Sequence, residues 1–191
     1  MGNTLFRNEI KYILTKEQFN EIYPIIDKNV TKSEFYESHI ESVYYDDKNY
    51  RYIKTNFDSS IYKEKFRVRS YNDKDRIIEY KRKYKGKSYK NRTWDNIIPD
   101  KLNPFCKIIY DRLAYESEDK TLRVTFDRNV KGILLSSNEE VTILDENLYI
   151  MEIKIANAMP YWLSKELSNY KIYPGKFSKF KSFCKKVERV D

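Results

Sequence analysis

The sequence predicts an α+β fold centred on a mainly antiparallel β-barrel, and three observations lead to it. Six segments alternate apolar and charged side chains with period two, the pattern of a strand buried on one face. Turn-forming residues, Asn72-Asp73 and Gly86, separate consecutive segments, which favours antiparallel neighbours. Three other segments carry an apolar stripe at helical spacing. The charged faces of such a barrel put Arg67, Arg69, Lys81 and Arg123 into a common cavity.

The strands follow in order. Leu5–Leu14 sets Arg7, Glu9 and Lys11 against Phe6, Ile10, Tyr12 and Leu14. Glu41–Asp47 sets Ser42, Tyr44 and Asp46 against Val43 and Tyr45. Ile61–Tyr71 is the clearest, with Lys63, Lys65, Arg67 and Arg69 on one face and Phe66 and Val68 on the other. Ile77–Tyr84 separates Glu79, Lys81 and Lys83 from Ile78, Tyr80 and Tyr84. Thr121–Asn129 separates Arg123, Thr125 and Asp127 from Leu122, Val124 and Phe126, and Tyr149–Ala156 separates Glu152 and Lys154 from Met151, Ile153 and Ile155. Tyr89–Trp94 and Lys107–Tyr115 alternate more weakly.

Among the helices, Thr15 caps Lys16–Asp27, whose stripe is Phe19, Ile22, Tyr23 and Ile26. Pro24 lies inside it and predicts a kink or an early end. Pro160 starts a helix through about Tyr170. Phe177–Val187 repeats Phe177, Phe180, Phe183, Cys184 and Val187. With 191 residues, four glycines and no linker or repeat, the chain reads as one domain over residues 1–191.

A net charge of +8, from 37 Lys+Arg against 29 Asp+Glu, favours anionic partners: phosphate compounds, nucleic acid or acidic membranes. Part of that charge follows from a composition heavy in Lys, Asn and Tyr, so the pattern must carry the argument. Cys106 and Cys184 allow one disulfide, form no CxxC site and fit a reducing compartment. Met1–Lys11 lacks the apolar run of a secretory signal, and no stretch approaches the roughly 18 apolar residues of a membrane span. A soluble, cytoplasmic protein without a membrane segment is expected.

A charged strand face has an ordinary explanation, exposure to water. Here face after face is basic with a lone carboxylate among the cations: Arg7, Lys11, Lys63, Lys65, Arg67, Arg69, Lys81, Lys83, Arg123 and Lys154 beside Glu9, Glu79, Asp127 and Glu152. RxR and KxK place two cationic heads about 7 Å apart along one strand face, which suits a chain of phosphates. The carboxylates either pair cations or hold a divalent metal that bridges phosphate oxygens. Other phosphate devices are missing. Gly86-Lys87-Ser88 imitates the end of a P-loop, but Lys81 stands where its first glycine belongs, and no GxGxxG occurs. His39 is the single histidine, so neither a His/Cys zinc site nor a supported phosphohistidine is available. No nucleophile–base pair stands out.

Further pieces match a known family in order through nearly the whole chain. They are Arg7-Asn8-Glu9-Ile10-Lys11-Tyr12, Ser42-Val43-Tyr44-Tyr45-Asp46, Phe66-Arg67-Val68-Arg69 and Glu79-Tyr80-Lys81-Arg82-Lys83. Lys87-Ser88-Tyr89-Lys90-Asn91-Arg92, Leu122-Arg123-Val124-Thr125-Phe126-Asp127, Met151-Glu152-Ile153-Lys154 and Lys176-Phe177-Ser178-Lys179-Phe180 follow. With these pieces the chain resembles the polyphosphate polymerase (VTC) domain, a branch of the CYTH or triphosphate tunnel metalloenzyme superfamily. The resemblance implies an antiparallel β-tunnel with helices packed on the outside. It also implies phosphate contacts from Lys11, Arg67, Arg69, Lys81, Lys90 and Arg123, with Lys176, Ser178 and Lys179 closing one end and Lys83 at a tolerated basic position. Glu152 matches the carboxylate that holds the catalytic metal, Mn2+ or Mg2+.

The pattern departs from the wider superfamily at its ExExK opening, where Arg7 replaces the first Glu. That argues against a hydrolase with two filled metal sites and is compatible with the polymerase branch. Eukaryotic members also carry an SPX domain and membrane helices, which these 191 residues do not contain, so neither control by inositol pyrophosphates nor product transport is expected. The resemblance implies metal-assisted transfer of the ATP γ-phosphate to a growing polyphosphate chain, with catalytic roles for Arg67, Arg69, Arg123 and Glu152. Two rivals stand beside it. A triphosphatase or nucleotide cyclase of the same superfamily would use water or a ribose hydroxyl and give Glu9, Glu79 or Asp127 larger roles. A non-catalytic polyanion binder would take nucleic acid through its basic surface and 18 tyrosines, but a tunnel hides its cations from a duplex.

Overall fold

Backbone pairing follows the alternation, because each period-two segment has an apolar face to bury and a ladder of amides and carbonyls to satisfy. The structure, a computed structural model, describes residues 8–58, 61–85, 87–94 and 97–187. Leu5, Phe6, Arg7 and Gly86 lie outside these residues. Among the described residues the chain runs β1 (Asn8–Thr15), α1 (Lys16–Asn29), β2 (Lys32–Asp46), α2 (Arg51–Asp58), β3 (Tyr62–Tyr71), β4 (Lys74–Tyr84) and β5 (Lys87–Thr93). It continues with β6 (Asn103–Glu116), β7 (Leu122–Leu134), β8 (Glu139–Thr142), β9 (Leu148–Ile155), α3 (Tyr161–Asn169) and α4 (Lys179–Lys186). The strand order is β1-β9-β7-β6-β2-β3-β4-β5, with β8 on β7. β9 is antiparallel to β1 and β7, β8 to β7, and β2, β3, β4 and β5 to one another in succession. The α+β class and the antiparallel pairing agree with the expectation.

The residues fall into two compact units. The first comprises Met1–Ser38, Asp111–Asn129 and Leu144–Phe177. Its core joins Tyr12 and Leu14 of β1, Val124 and Phe126 of β7 and Met151 and Ile153 of β9 to Ile22 and Ile26 of α1 and Leu163 and Leu167 of α3. Both helices therefore cover the apolar strand faces and leave the opposite, charged faces uncovered by their stripes. A capping box starts α1: the Gln18 amide donates to Thr15 Oγ1 at 3.2 Å, and the Thr15 amide to Gln18 Oε1 at 3.1 Å. The helix passes Pro24 and ends only at Asn29. Pro24 and Asn20 both lie on the exposed side, so the carbonyl that loses its bond can turn to water while Ile22 and Ile26 stay buried.

The second unit comprises His39–Tyr110, Val130–Ile143 and Ser178–Asp191. The β3–β4 turn has positive φ at both central residues, Asn72 at 50° and Asp73 at 58°, the requirement of a two-residue hairpin turn. Phe66 and Ile78 on the apolar face of this hairpin pack with Tyr52 of α2 and Leu102. Helix α2 is absent from the sequence reading. The buried Asp46 carboxylate accepts from the amides of Tyr52 at 2.9 Å and Ile53 at 2.8 Å, and this fixes the first turn of α2 from six residues upstream. On α4, the Phe183 ring lies so close to β7 that a Cβ at Gly132 would stand 2.2 Å from it.

Candidate functional site

Strand register sets the charged face of the second unit. β3, β4 and β5 align Lys65 with Lys81 and Lys90, and Arg67 with Glu79 and Arg92. β2 adds Ser42 opposite Arg69 and Tyr44 opposite Arg67. Six cations thus share three rows with a single carboxylate, and Lys65, Arg67, Glu79, Lys81 and Lys90 line one small pocket. Lys83 extends the β4 face opposite Lys63 and Ser88 and is exposed.

Glu79 is 2% exposed and anchors this array. Arg67 Nε donates to Glu79 Oε2 at 2.6 Å, Arg92 Nε to Oε1 at 2.8 Å, and Lys90 also pairs with Oε1. Burial alone would raise the Glu79 carboxyl, but Arg67, Arg69 and Lys90 outweigh it and hold it well below the usual carboxylate range. Burial pushes the Lys90 ammonium down to about 7, with Glu79 opposing the shift and Arg67 and Arg92 adding to it. Arg67 Nη1 donates to the Tyr44 hydroxyl at 2.9 Å, and Arg69 Nε to Ser42 Oγ at 3.0 Å. These bonds fix two guanidinium planes, the arrangement that grips phosphate oxygens in pairs.

The start of α4 joins the same unit. Ser178 caps the helix by accepting from the Lys181 amide at 3.3 Å, and its hydroxyl also accepts from Lys65 Nζ at 3.0 Å. The Lys179 ammonium lies 4.3 Å from the Tyr110 ring centroid, and the Phe180 ring stacks on Tyr44 at 4.6 Å. Ser178 is therefore tied to Lys65 of the cation array, and Lys179 lies against Tyr110. Lys176 is exposed and belongs to the first unit, next to Gly175, whose amide donates to the Lys11 carbonyl at 2.7 Å.

The first unit carries a different charge pattern. Glu9 faces Lys154, which faces Arg123, and Lys11 faces Glu152, which faces Thr125. Lys11 Nζ lies 3.2 Å from Glu9 and 3.5 Å from Glu152, and Lys154 Nζ lies 2.7 Å from Glu152. Arg112 of β6 holds Asp127 with two bonds, at 2.6 and 2.8 Å, and Arg123 lies 3.7 Å from Glu116. Among the described residues Lys11, Lys154, Arg112 and Arg123 each have a carboxylate, so this face is closer to balance than the strongly positive array. Burial would raise the Glu152 carboxyl, but Lys154, Lys11 and Arg112 hold it below its usual range. Lys11 is raised in turn: Glu152 and Glu9 outweigh the effect of its burial.

Among the described residues no group of three or more His, Cys, Asp and Glu stands ready for a metal. Glu9 and Glu152 do converge on one ammonium, that of Lys11. Two hard oxygen donors suit Mg2+ or Mn2+, which keep several water or phosphate ligands, and such an ion would compete with Lys11 for them. The site residues thus gather in two sets: Arg67, Arg69, Lys81, Lys83, Lys90, Ser178 and Lys179 in the second unit, and Lys11, Arg123, Glu152 and Lys176 in the first.

Sequence reasoning missed Arg112 as a partner of this face, and Arg92 as a partner of Glu79. Arg112 sits where the alternation of β6 breaks down, with Tyr110, Ala114 and Tyr115 all buried around it. The Arg92 signal was present, two residues after Lys90 on the same strand face.

The chain matches the VTC domain family over residues 6–96 and 94–187. No curated protein matches it in sequence. Several solved structures share its fold. A putative adenylate cyclase from Bacillus halodurans is 11% identical with a TM-score of 0.55, over 89% of this chain and 92% of that one. Another, from Vibrio parahaemolyticus, is 11% identical with a TM-score of 0.52, over 93% and 97%. A protein from Pyrococcus horikoshii is 13% identical with a TM-score of 0.50, over 90% and 96%. Identities this low speak to fold alone, whereas the family match spans nearly all of the sequence: the chain belongs to the VTC domain family.

Proposed function

We propose that the chain is an ATP-dependent polyphosphate polymerase that transfers the γ-phosphate of ATP to the end of a growing polyphosphate chain. The observation that supports this best is the array on β3, β4 and β5, where six cations stand around one carboxylate at strand spacing. Such an excess of fixed positive charge is costly without an anion, and a linear run of phosphates matches it row by row. Arg67 and Arg69, with planes fixed by Tyr44 and Ser42, hold the transferring phosphoryl group. Lys81, Lys83 and Lys90 with Lys11 and Lys176 contact phosphates of the two substrates, and Ser178 and Lys179 bound the chain at one end. Arg123 stabilises charge on the phosphoryl group once it exchanges Glu116 for phosphate. Mn2+ or Mg2+ held by Glu152, with Glu9 beside it, would supply further positive charge to the phosphate oxygens.

An oxygen of the terminal phosphate forms the new bond to the γ-phosphorus, the bond from that phosphorus to the bridging oxygen of ATP breaks, and ADP leaves with the electron pair. The attacking oxygen is already ionised at neutral pH, so no side chain need take a proton, and catalysis is positioning plus electrostatics. The test is incubation of the purified protein with ATP and Mn2+, with phosphate products resolved by gel. A ladder of polyphosphates supports the reading. Orthophosphate release or a cyclic nucleotide without polymer overturns it in favour of a triphosphatase or a cyclase.

A further inference from the structure

Thr125 is 3% exposed, and its hydroxyl is a buried side-chain oxygen without a hydrogen-bond partner. It lies on β7 directly opposite Glu152 of β9. Cross-strand neighbours stand about 5 Å apart at Cβ, so the two side chains share one face of the sheet. The carboxylate on the facing residue is already engaged: Glu152 Oε1 takes Lys154 and Oε2 takes Lys11. Asp127, two residues along the same face, is held at both oxygens by Arg112. A buried hydroxyl left out of such a network is costly, and buried polar groups are paired in the great majority of cases. Valine has the same shape and would fill this strand position without that penalty. The hydroxyl therefore points to a ligand.

The charge balance of this face says which kind. Among the described residues Lys11, Lys154, Arg112 and Arg123 are each matched by a carboxylate, so this face carries less surplus positive charge than the β3–β5 array. An oxygen donor beside the Glu152 carboxylate suits a hard, hydrated cation instead. We propose that Thr125 is a ligand-contacting residue of the divalent-cation site, its hydroxyl accepting from a water of the cation's shell or binding the cation directly, next to Glu152. This rests on the assignment of the cation to Glu152 made above.

The experiment measures Mn2+ binding by the electron paramagnetic resonance signal of free Mn2+, with thermal unfolding of the metal-free protein alongside. Thr125→Val should weaken Mn2+ binding by at least about tenfold, the size of one hydrogen bond to a charged group. The metal-free melting temperature should stay level or rise, since an unpaired buried hydroxyl is removed. Thr125→Ser should restore Mn2+ binding. Tripolyphosphate binding without metal should be equal in wild type and Thr125→Val. Wild-type Mn2+ affinity in a folded Thr125→Val protein overturns the inference, provided Glu152→Gln abolishes binding. Equal, undiminished affinity in both variants overturns the Glu152 assignment as well. Loss of metal-free tripolyphosphate binding in Thr125→Val shows that the hydroxyl contacts phosphate and also overturns the inference.

Discussion

Arg67 and Glu79 face each other directly across the β3–β4 ladder, and the guanidinium Nε meets the buried carboxylate at 2.6 Å. Glu79 is the counter-charge that lets Arg67, Lys90 and Arg92 occupy neighbouring positions. Glu79→Gln should destabilise the protein by about 3 kcal/mol, the usual cost of removing one partner from a buried pair. Tripolyphosphate should recover part of that loss and stabilise the variant more than it stabilises wild type. Urea unfolding with and without the anion measures both effects. The carboxyl is held below its usual range, so its share of stability is complete above about pH 4.3 and fades as pH falls through the folded value. Acidification below about pH 4 should therefore cost wild type more than Glu79→Gln.

Lys90 titrates near 7 in the array and is largely neutral at pH 8.5. A bound phosphate chain favours the ammonium form, so on binding at that pH Lys90 should take up close to one proton. Tripolyphosphate loses its last proton close to this pH and releases part of it on meeting cations, so the Lys90 share is read as the difference between wild type and Lys90→Arg. Calorimetry in buffers of differing ionisation enthalpy measures the net proton change in each. Wild type should take up close to one proton more than Lys90→Arg, and raising the pH above about 7 should weaken tripolyphosphate binding more in wild type than in that variant.

Glu152 has two ammonium partners, and its roles as ion pair and as cation ligand differ in consequence. Glu152→Gln should abolish polymer formation from ATP across a Mn2+ titration while polyphosphate binding stays largely intact. Gel analysis and fluorescence competition separate the two. A folded variant that polymerises normally removes Glu152 from the mechanism.

Gly132 on β7 is required by the approach of α4 rather than by its backbone angles. Gly132→Ala brings a methyl group against the Phe183 ring, 2.2 Å away, and should cost about 2 kcal/mol as overpacking. Phe183→Leu in the same chain should return part of the stability. Because α4 begins with the Ser178 cap that holds Lys65, weaker binding of tripolyphosphate should accompany the Gly132→Ala loss.

Where one face of a segment is buried and the other charged, period two reads directly, and β1, β3, β4, β7 and β9 were legible for that reason. β6 was faint because Phe105, Cys106, Ile108 and Tyr110 bury neighbouring and alternate positions alike. Helix α2 was illegible because its start is held from strand β2 and the turn after it, by Asp46 on the Tyr52 and Ile53 amides and Asp47 on the Arg51 amide, rather than by a residue directly before the helix. The limit on α1 was set too early because a proline on the solvent side costs less than one facing the core. At the site, the cations of β3 and β4 followed from spacing. Their partners did not: nothing in the sequence alone tells that Glu79 serves Arg67, Lys90 and Arg92 together, or that Arg112 closes on Asp127.

Among the described residues β5 ends the strand order and is exposed at every position but Thr93, so its outer edge can pair with a passing strand. Two copies that zipped together along this edge would bring Lys87, Lys90 and Arg92 of each into one ribbon, where like charges repel. The same positive charge that suits this edge to an anion would thus also keep the protein from sticking to itself. A polyanion long enough to overhang the array would neutralise that guard and tether a second copy at once, so clustering is expected to depend on the length of the bound chain.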